Sequence, residues 1–489
     1  MFFLQGAPAG RKARHEQWDV VVVGGGPSGL LVSEQLAAAH LSCLVLEAGP
    51  SRSRPLPGDP ERFARAIKPL LEVDDLTWRY RVTGLPAQWR RVRAAGGRSL
   101  LWRGLCARPE ARNLRDADQM GVPWPIGLDE LGRLVRRVER ILGVRVERLD
   151  RHLDEIAGRL GLEAQARRAA VSGDARRPLV PLDWERRASL ISNAVATRVV
   201  VDRKGGVAAV EYVDLEKGEQ RRLDTRAVVL CASPIETTRL LLEDRLRARL
   251  ECPDLVGSGL VDHLVGSLLL VSPGPPPESA VPIERAAVVQ RGASAQAAHR
   301  RDHRVGFTVE VRGPAPCAEL GPEVLARAGL DRREAARWTY HAIEPVGDVP
   351  PHPARRVALD PEQRDALGRP IPVLHLAWGE DEPRLLRDMS ETAASIAEAL
   401  WTPGSRVVTL CDPMSQPLVS HEAGTCRVGR DPRLAPADSS GAVRGVRGLY
   451  VADASAMPTA LDRPPTLALL ALALHTADRI RHRARAGDL

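Results

Sequence analysis

The sequence predicts an α/β protein: a parallel-sheet domain assembled from separate stretches of chain, joined to an α+β domain with an antiparallel sheet. Three observations predict it. A β-branched run, Val20 to Val23, leads into glycines 24, 26 and 29, then a helical stretch and a second apolar run, Cys43 to Leu46. Further runs of buried-strand character return at 189–214, 227–244 and 445–459. Between roughly 266 and 415 the chain becomes rich in Pro and Gly, with alternating pieces such as RVGFTVEVRG. At 489 residues it exceeds the length at which one core keeps growing, so two domains are expected.

The first strand is a continuous apolar run, as a parallel strand covered on both faces requires. Gly24, Gly26 and Gly29 then stand at G-x-G-x-x-G spacing, and Pro27 and Ser28 open a helix running to about Ala39. Proline suits a first helical turn because the N–H it lacks has no partner there. The second strand ends at Glu47, eighteen residues after Gly29. Strand, glycine turn, helix, strand and acid in this order form a Rossmann-like dinucleotide unit. The glycines let backbone approach a pyrophosphate at the helix N-terminus, and the acid receives a ribose hydroxyl.

The later returns read as strand, KGG turn and strand at 189–214; as strand, a turn at Ser233-Pro234 and helix at 227–244; and as a short strand ending at Asp453. A helix over about 128–142 places Leu131, Leu134, Val135, Val138, Ile141 and Leu142 on one face, with Arg133, Arg136, Arg137 and Arg140 off it. Near the end, DRPPTLALLALAL reads as a helix beginning at two prolines.

Composition excludes other classes. The +8 formal charge comes from 70 basic residues spread among 62 acidic ones, without the dense basic tract and interleaved aromatics of a nucleic-acid groove. The seven cysteines are scattered and contain no C-x-x-C pair, so neither a disulfide framework nor a metal site is expected. The N-terminal stretch has no signal-peptide core, and the longest apolar run, Thr466 to Leu474, is too short to span a bilayer, so a cytoplasmic location is expected.

Several motifs together resemble the glucose-methanol-choline (GMC) oxidoreductases, a flavoprotein family. Besides the first glycine motif they are GGRSLLWRG (96–104), GVPWPIGLDELGRLVRRVE (121–139), VVLCASPIETTRLLL, VGSGLVDHL (256–264), RRVALDPEQRDALGRPIPVLHL (355–376), HEAGTCRVGRDP (421–432) and GVRGLYVADASAMPT. The resemblance covers most of the chain. It implies a discontinuous FAD-binding domain of p-hydroxybenzoate-hydroxylase-like type, at 15–110, 165–265 and 416–489, and a substrate-binding domain at 111–164 and 266–415. It also implies that FAD binds at Gly24, Gly26, Pro27, Ser28, Gly29 and Glu47, at Gly97, Ser99 and Trp102, at the backbone of Ala196, at Asp453 and Ala454, and at Pro465 and Thr466. The implied reaction removes a hydroxyl proton to a base while hydride passes to flavin N5 from the same carbon of an alcohol or sugar-like substrate. The electron acceptor, whether oxygen, a quinone or a redox protein, is left open.

His421 matches the family's catalytic histidine. Read alone it is as well a histidine bonded within a loop, but an imidazole titrates near the working pH and so suits proton exchange. His263, within the V-D-H signature, is expected to be structural or peripheral; His475 and Cys426 are expected to pack. Where many relatives carry Asn or His beside the P-T-L stretch, this chain has Pro464, which offers no donor. Another group such as Arg463 then holds the substrate oxygen, or the alignment slips by one residue, or the usual oxidation is lost. Leu101 stands where relatives with covalent flavin carry His, so non-covalent FAD is expected. Alternatives are a non-redox flavoprotein lyase, a flavin-binding protein with impaired catalysis, and a nicotinamide-dependent enzyme.

Overall fold

A computed structural model of the chain describes residues 17–51, 78–102, 104–170, 188–275, 286–291, 303–411, 418–419 and 421–489. The N-terminal residues read above for a signal peptide lie outside this set.

The valine run forms the strand Trp18–Val23, with Val20 to Val23 buried. It pairs in parallel with Cys43–Leu46 on one side and with the distal half of the long strand Glu219–Leu230 on the other. Ser189–Ile191 adds outside Cys43–Leu46, and Leu449–Val451 adds outside Glu219–Leu230, both in parallel. The parallel core thus draws on distant parts of the chain, as expected. The proximal half of Glu219–Leu230 leaves that core to form an antiparallel meander with Val207–Asp214 and Ala194–Val201. The last strand stops at Val451 rather than Asp453, because Asp453 caps the 3-10 turn Ala454–Ala456 by accepting from the Ser455 N–H.

The helix Pro27–Ala37 and the helix Leu128–Leu142 both pack against the last helix, Thr466–Arg485. The last helix is buried at every position from Leu470 to Ala477 as well as at Leu467 and Ala468, so its first three turns are covered nearly all round. The helix Leu128–Leu142 turns Leu131, Val135, Val138 and Leu142 inward and leaves Arg133, Arg136 and Arg140 in solvent. It therefore joins the nucleotide-side core, although it falls inside the 111–164 segment expected on the substrate side. The strand Leu162–Ala166, which begins in that segment, does pair within the second sheet.

That second sheet runs Arg406–Cys411, Ser267–Pro273, Trp338–Asp348, Phe307–Pro316, Ala286–Arg291 and Leu162–Ala166, every pair antiparallel. The helix Asp381–Ala399 covers one face, where Phe307, Val309, Val311 and Ile343 meet Leu385, Met389 and Ala393. It lies so close that a Cβ at Gly347 would stand 2.7 Å from Met389 Sδ. Strand alternation puts Thr308, Glu310 and Arg312 on the opposite face. A hairpin, Arg356–Arg364 and Pro370–Leu376, extends from this domain and pairs with Arg81–Gly84.

Candidate active site

The glycine turn after the first strand is shaped by contacts that no side chain would tolerate. Gly24 has φ +106°, and a Cβ there would lie 2.2 Å from the Cys231 carbonyl oxygen; one at Gly29 would lie 2.0 Å from the Gly24 carbonyl oxygen. At Gly26 the reverse holds: a Cβ would meet nothing within 4 Å. Gly26 is also the N-cap of Pro27–Ala37, and no side chain caps the first N–H groups of that helix. The second glycine loop closes over this turn. The Gly96 N–H donates to the Gly25 carbonyl at 2.8 Å, and a Cβ at Gly97 would lie 3.3 Å from the Gly26 Cα. Ser99 is buried in that loop, and Trp102 is half-buried against the nucleotide-side core.

Glu47 is buried beside the turn and accepts 2.7 Å hydrogen bonds from the N–H groups of Gly25 and Gly49. Burial pushes its carboxyl up, and those two N–H groups and Arg93 oppose the shift. Ala196 lies where the register of its ladder shifts, and its carbonyl accepts from Arg369 Nη1 at 3.5 Å. Asp453 accepts from Thr237 Oγ1 at 2.6 Å, and the Ala454 carbonyl accepts from the Gly424 N–H at 3.2 Å.

His421 is held from two sides. Val261 and Ala423 exchange backbone hydrogen bonds of 3.1 and 2.9 Å, which lays the V-D-H segment against the H-E-A-G-T-C segment. Asp262 Oδ1 accepts from the backbone N–H of both His263 (2.7 Å) and His421 (3.0 Å). On the other side, the N–H groups of Gly424, Cys426 and Val428 donate to the carbonyls of Ala454, Ser455 and Ala456. Gly424 permits this with φ +85°, where a Cβ would stand 2.8 Å from the Gly259 carbonyl oxygen.

His263, expected to be structural or peripheral, touches His421. Their Nδ1 atoms are 2.9 Å apart and the rings meet edge to face at 73°. Desolvation pulls the pKa of His421 well below its ordinary value, and His263 and Arg98 add to the shift. The adjacent Glu422 is fully buried and accepts from Arg98 Nη1 at 2.5 Å, Ser233 Oγ at 2.8 Å and Trp89 Nε1 at 3.3 Å. Arg98 belongs to the second glycine loop, so His421 is tied through Glu422 to the loop that closes over the first glycine turn.

Sequence reasoning does not bring four neighbours to His421: Asp262, Glu422 and Arg98 are not singled out by it, and His263 is read without its contact to this ring. The adjacency of the V-D-H and H-E motifs is created by the Val261–Ala423 bridge, which leaves no local signature.

Around the two prolines, Pro464 is half-buried, Pro465 is buried and Thr466 begins the last helix. Arg463 is buried and bonded to Asp462 Oδ1 (2.9 Å), Glu110 Oε1 (3.0 Å) and the Arg108 carbonyl (3.0 Å). Cys426 is buried and its thiol is pushed up by desolvation. His475 is buried on the last helix, its Nε2 3.0 Å from the Ser439 carbonyl.

The GMC oxidoreductase family model matches in two parts, the N-terminal one over residues 118–265 and the C-terminal one over 351–473, together more than half of the chain. The chain belongs to the GMC oxidoreductases. Similar proteins include 6'''-hydroxyparomomycin C oxidase of Streptomyces lividus, 25% identical over 95% of this chain and 91% of its own length. Paromamine 6'-oxidase of Streptomyces fradiae is 28% identical over 96% and 92%, and C-glycoside 3-oxidase of Microbacterium trichothecenolyticum is 26% identical over 95% and 97%. Among solved structures, pyridoxine 4-oxidase from Mesorbium loti superposes with a TM-score of 0.60, covering 95% of this chain and 99% of that one at 19% identity, which supports the fold.

This GMC oxidoreductase is accordingly an FAD-dependent enzyme acting on CH–OH donors. Its own residues fit that cofactor. The open space at Gly26, the uncapped helix N-terminus and the buried Glu47 supply what a dinucleotide's pyrophosphate and ribose need. Among the described residues no helix is long and apolar enough to cross a membrane, and no cluster of three metal-binding side chains occurs.

Proposed function

We propose that this enzyme oxidises a CH–OH group of a sugar-like or glycosidic alcohol to a carbonyl, with His421 taking the hydroxyl proton. FAD, bound non-covalently, supplies the hydride acceptor. The carrying observation is a desolvated imidazole, disposed to be neutral, that Glu422 and Arg98 tie to the second glycine loop. A neutral imidazole accepts a hydroxyl proton as the alkoxide character develops, and returns it afterwards. Fully buried Glu422 supports the geometry: its three donors hold the His421–Glu422 backbone against the second glycine loop. The names of the three relatives above, oxidases of two aminoglycosides and of C-glycosides, support a glycosidic substrate. Leu101, at the end of the turn Gly97–Leu101, offers no nucleophile for a covalent flavin link. We place the enzyme in the cytoplasm.

Anaerobic mixing with a panel of aminoglycosides, C-glycosides, sugars and simple alcohols, followed by flavin absorbance, tests the reading; oxygen uptake then separates oxidase from dehydrogenase. With a substrate found, His421→Ala should slow flavin bleaching by about 10²–10⁴-fold. Unchanged bleaching would remove His421 from the mechanism.

Pro464 favours one competing reading, a flavin-binding protein with impaired catalysis. Proline has no donor for a substrate oxygen, and Arg463 is engaged by Asp462 and Glu110. Loss of one transition-state hydrogen bond costs about 10²–10³ in rate, so oxidation should be slowed and still measurable. A yellow protein that no alcohol bleaches would support the competing reading.

A further inference from the structure

We infer that His263 is a positioning residue for this oxidation: it keeps the proton of neutral His421 on Nδ1, so that substrate meets a bare Nε2. The inference rests on His421 being the base. It goes further by naming the nitrogen that acts and the contact that selects it.

The proton inventory follows from the partners. His263 Nε2 lies 3.0 Å from the Ala460 carbonyl and 2.9 Å from the Leu461 carbonyl. Carbonyl oxygens only accept, so this nitrogen carries the N–H. Burial lowers the pKa of His263, which makes its ring neutral with that single proton, and its Nδ1 is then a lone pair. Facing it at 2.9 Å is His421 Nδ1. Two lone pairs cannot sit at that separation, so His421 Nδ1 must donate. His421 has one proton in its neutral form and has placed it there; its Nε2 is therefore the base nitrogen.

Backbone geometry holds the arrangement. Leu461 has φ +67°, a left-handed conformation that a leucine rarely adopts. It turns two successive carbonyls toward one imidazole nitrogen, so His263 cannot flip its ring or change tautomer without orphaning both. Asp262 fixes the two backbones from below through their N–H groups. The charged and titratable groups around the pair are Arg98 from the glycine loop, Asp262, Asp462 from the turn that carries the two carbonyls, and Asp348, the cross-strand partner of His263.

In the reaction the substrate O–H bond breaks and its proton forms an N–H bond at His421 Nε2. The O–H electron pair becomes the second bond of the carbonyl, and the hydride leaves the same carbon for FAD. The imidazolium so formed still donates from Nδ1 to His263, which shares the charge without taking the proton.

Holoenzyme labelled with ¹⁵N-histidine tests the tautomer directly: His421 should show a protonated Nδ1 and an unprotonated Nε2. The reverse pattern in the wild-type enzyme would overturn the inference, and this readout survives a failure of any variant to fold. In kinetics, His263→Leu removes the acceptor, while His263→Asn keeps an amide oxygen near the Nδ1 position. With FAD content matched by absorbance, the limiting rate of flavin reduction should fall about 10²-fold or more in His263→Leu, with substrate Kd within about threefold. His263→Asn should recover most of that loss. Equal rates in the two variants would overturn the positioning role. His421→Ala separates this inference from the one beneath it. Wild-type reduction in His421→Ala refutes the base itself, whereas an inactive His421→Ala beside a fully active His263→Leu refutes only the role of His263.

Discussion

Replacing Gly26 with alanine separates the binding of FAD from the folding of the domain that binds it. Gly26 has φ −72° and ψ 178°, an extended conformation open to any residue, and its added methyl would meet no atom within 4 Å. The apoprotein should therefore keep its stability, or gain about 0.4–1 kcal/mol from a stiffer unfolded chain. If the pyrophosphate lies over Gly26, however, that methyl occupies its space. A phosphate pushed outward loses charge-assisted hydrogen bonds from the helix N–H groups, each worth about 1.5–3 kcal/mol, so the FAD Kd should rise about 10- to 150-fold for each bond lost. Titrating apoprotein with FAD and melting the apoprotein give the two numbers independently. Gly29→Ala is the contrast: its Cβ would stand 2.0 Å from the Gly24 carbonyl oxygen, and it should fail to fold. An unchanged FAD Kd in Gly26→Ala, or an apoprotein that melts many degrees lower, would refute the placement of the pyrophosphate.

The pH dependence of flavin reduction carries a defined sign. His421 acts as a base only when neutral and its pKa is pulled down, so the rate should hold its plateau through about pH 6.5 and fall only as pH drops further; an acid limb at or above that value would contradict the environment described. Burial alone would raise the Asp462 carboxyl, but Arg112 and Arg463 bring it to about 2. Its contribution should be complete above the unfolded value near 3.9 and be lost as pH falls toward 2. Asp462→Asn removes one of the two carboxylates that Arg112 and Arg463 share, leaving Glu110, and should cost part of the about 3–5 kcal/mol of a fully broken buried pair in urea denaturation; a cost below about 1 kcal/mol would show that the cluster is already solvated. Acid precipitation of the holoenzyme should leave FAD in the supernatant, and a yellow pellet would mean a covalent bond that Leu101 cannot form.

Legibility in the sequence followed the range of the forces involved. Cys43–Leu46 and Leu128–Leu142 could be bounded by pattern because burial on both faces, or on one helical face, writes itself into consecutive residues. The overlap of the two glycine loops, where Gly97 rests on Gly26, could be anticipated only through the family resemblance. The environment of His421 was hidden for another reason. Its partner His263 is 158 positions away, and the contact depends on one antiparallel bridge between loops. Arg463 shows the same limit from the opposite direction. As an isolated cation beside Pro464 it invited a role on substrate, whereas Glu110, 353 positions away, binds its guanidinium.

The strand Leu449–Val451 has a consequence for synthesis. It pairs with the free side of Glu219–Leu230, and the helix Thr466–Arg485 docks on Pro27–Ala37, so the sheet begun at Trp18 is closed by residues translated much later. At 5–20 residues per second, roughly 10 to 45 s pass between the emergence of residues 230 and 449. Throughout that interval the nascent chain presents an unpaired hydrophobic strand edge, a template for aggregation. Chaperone demand during translation, and the yield of soluble protein at lowered growth temperature, should therefore depend on this late strand more than on any residue that touches FAD.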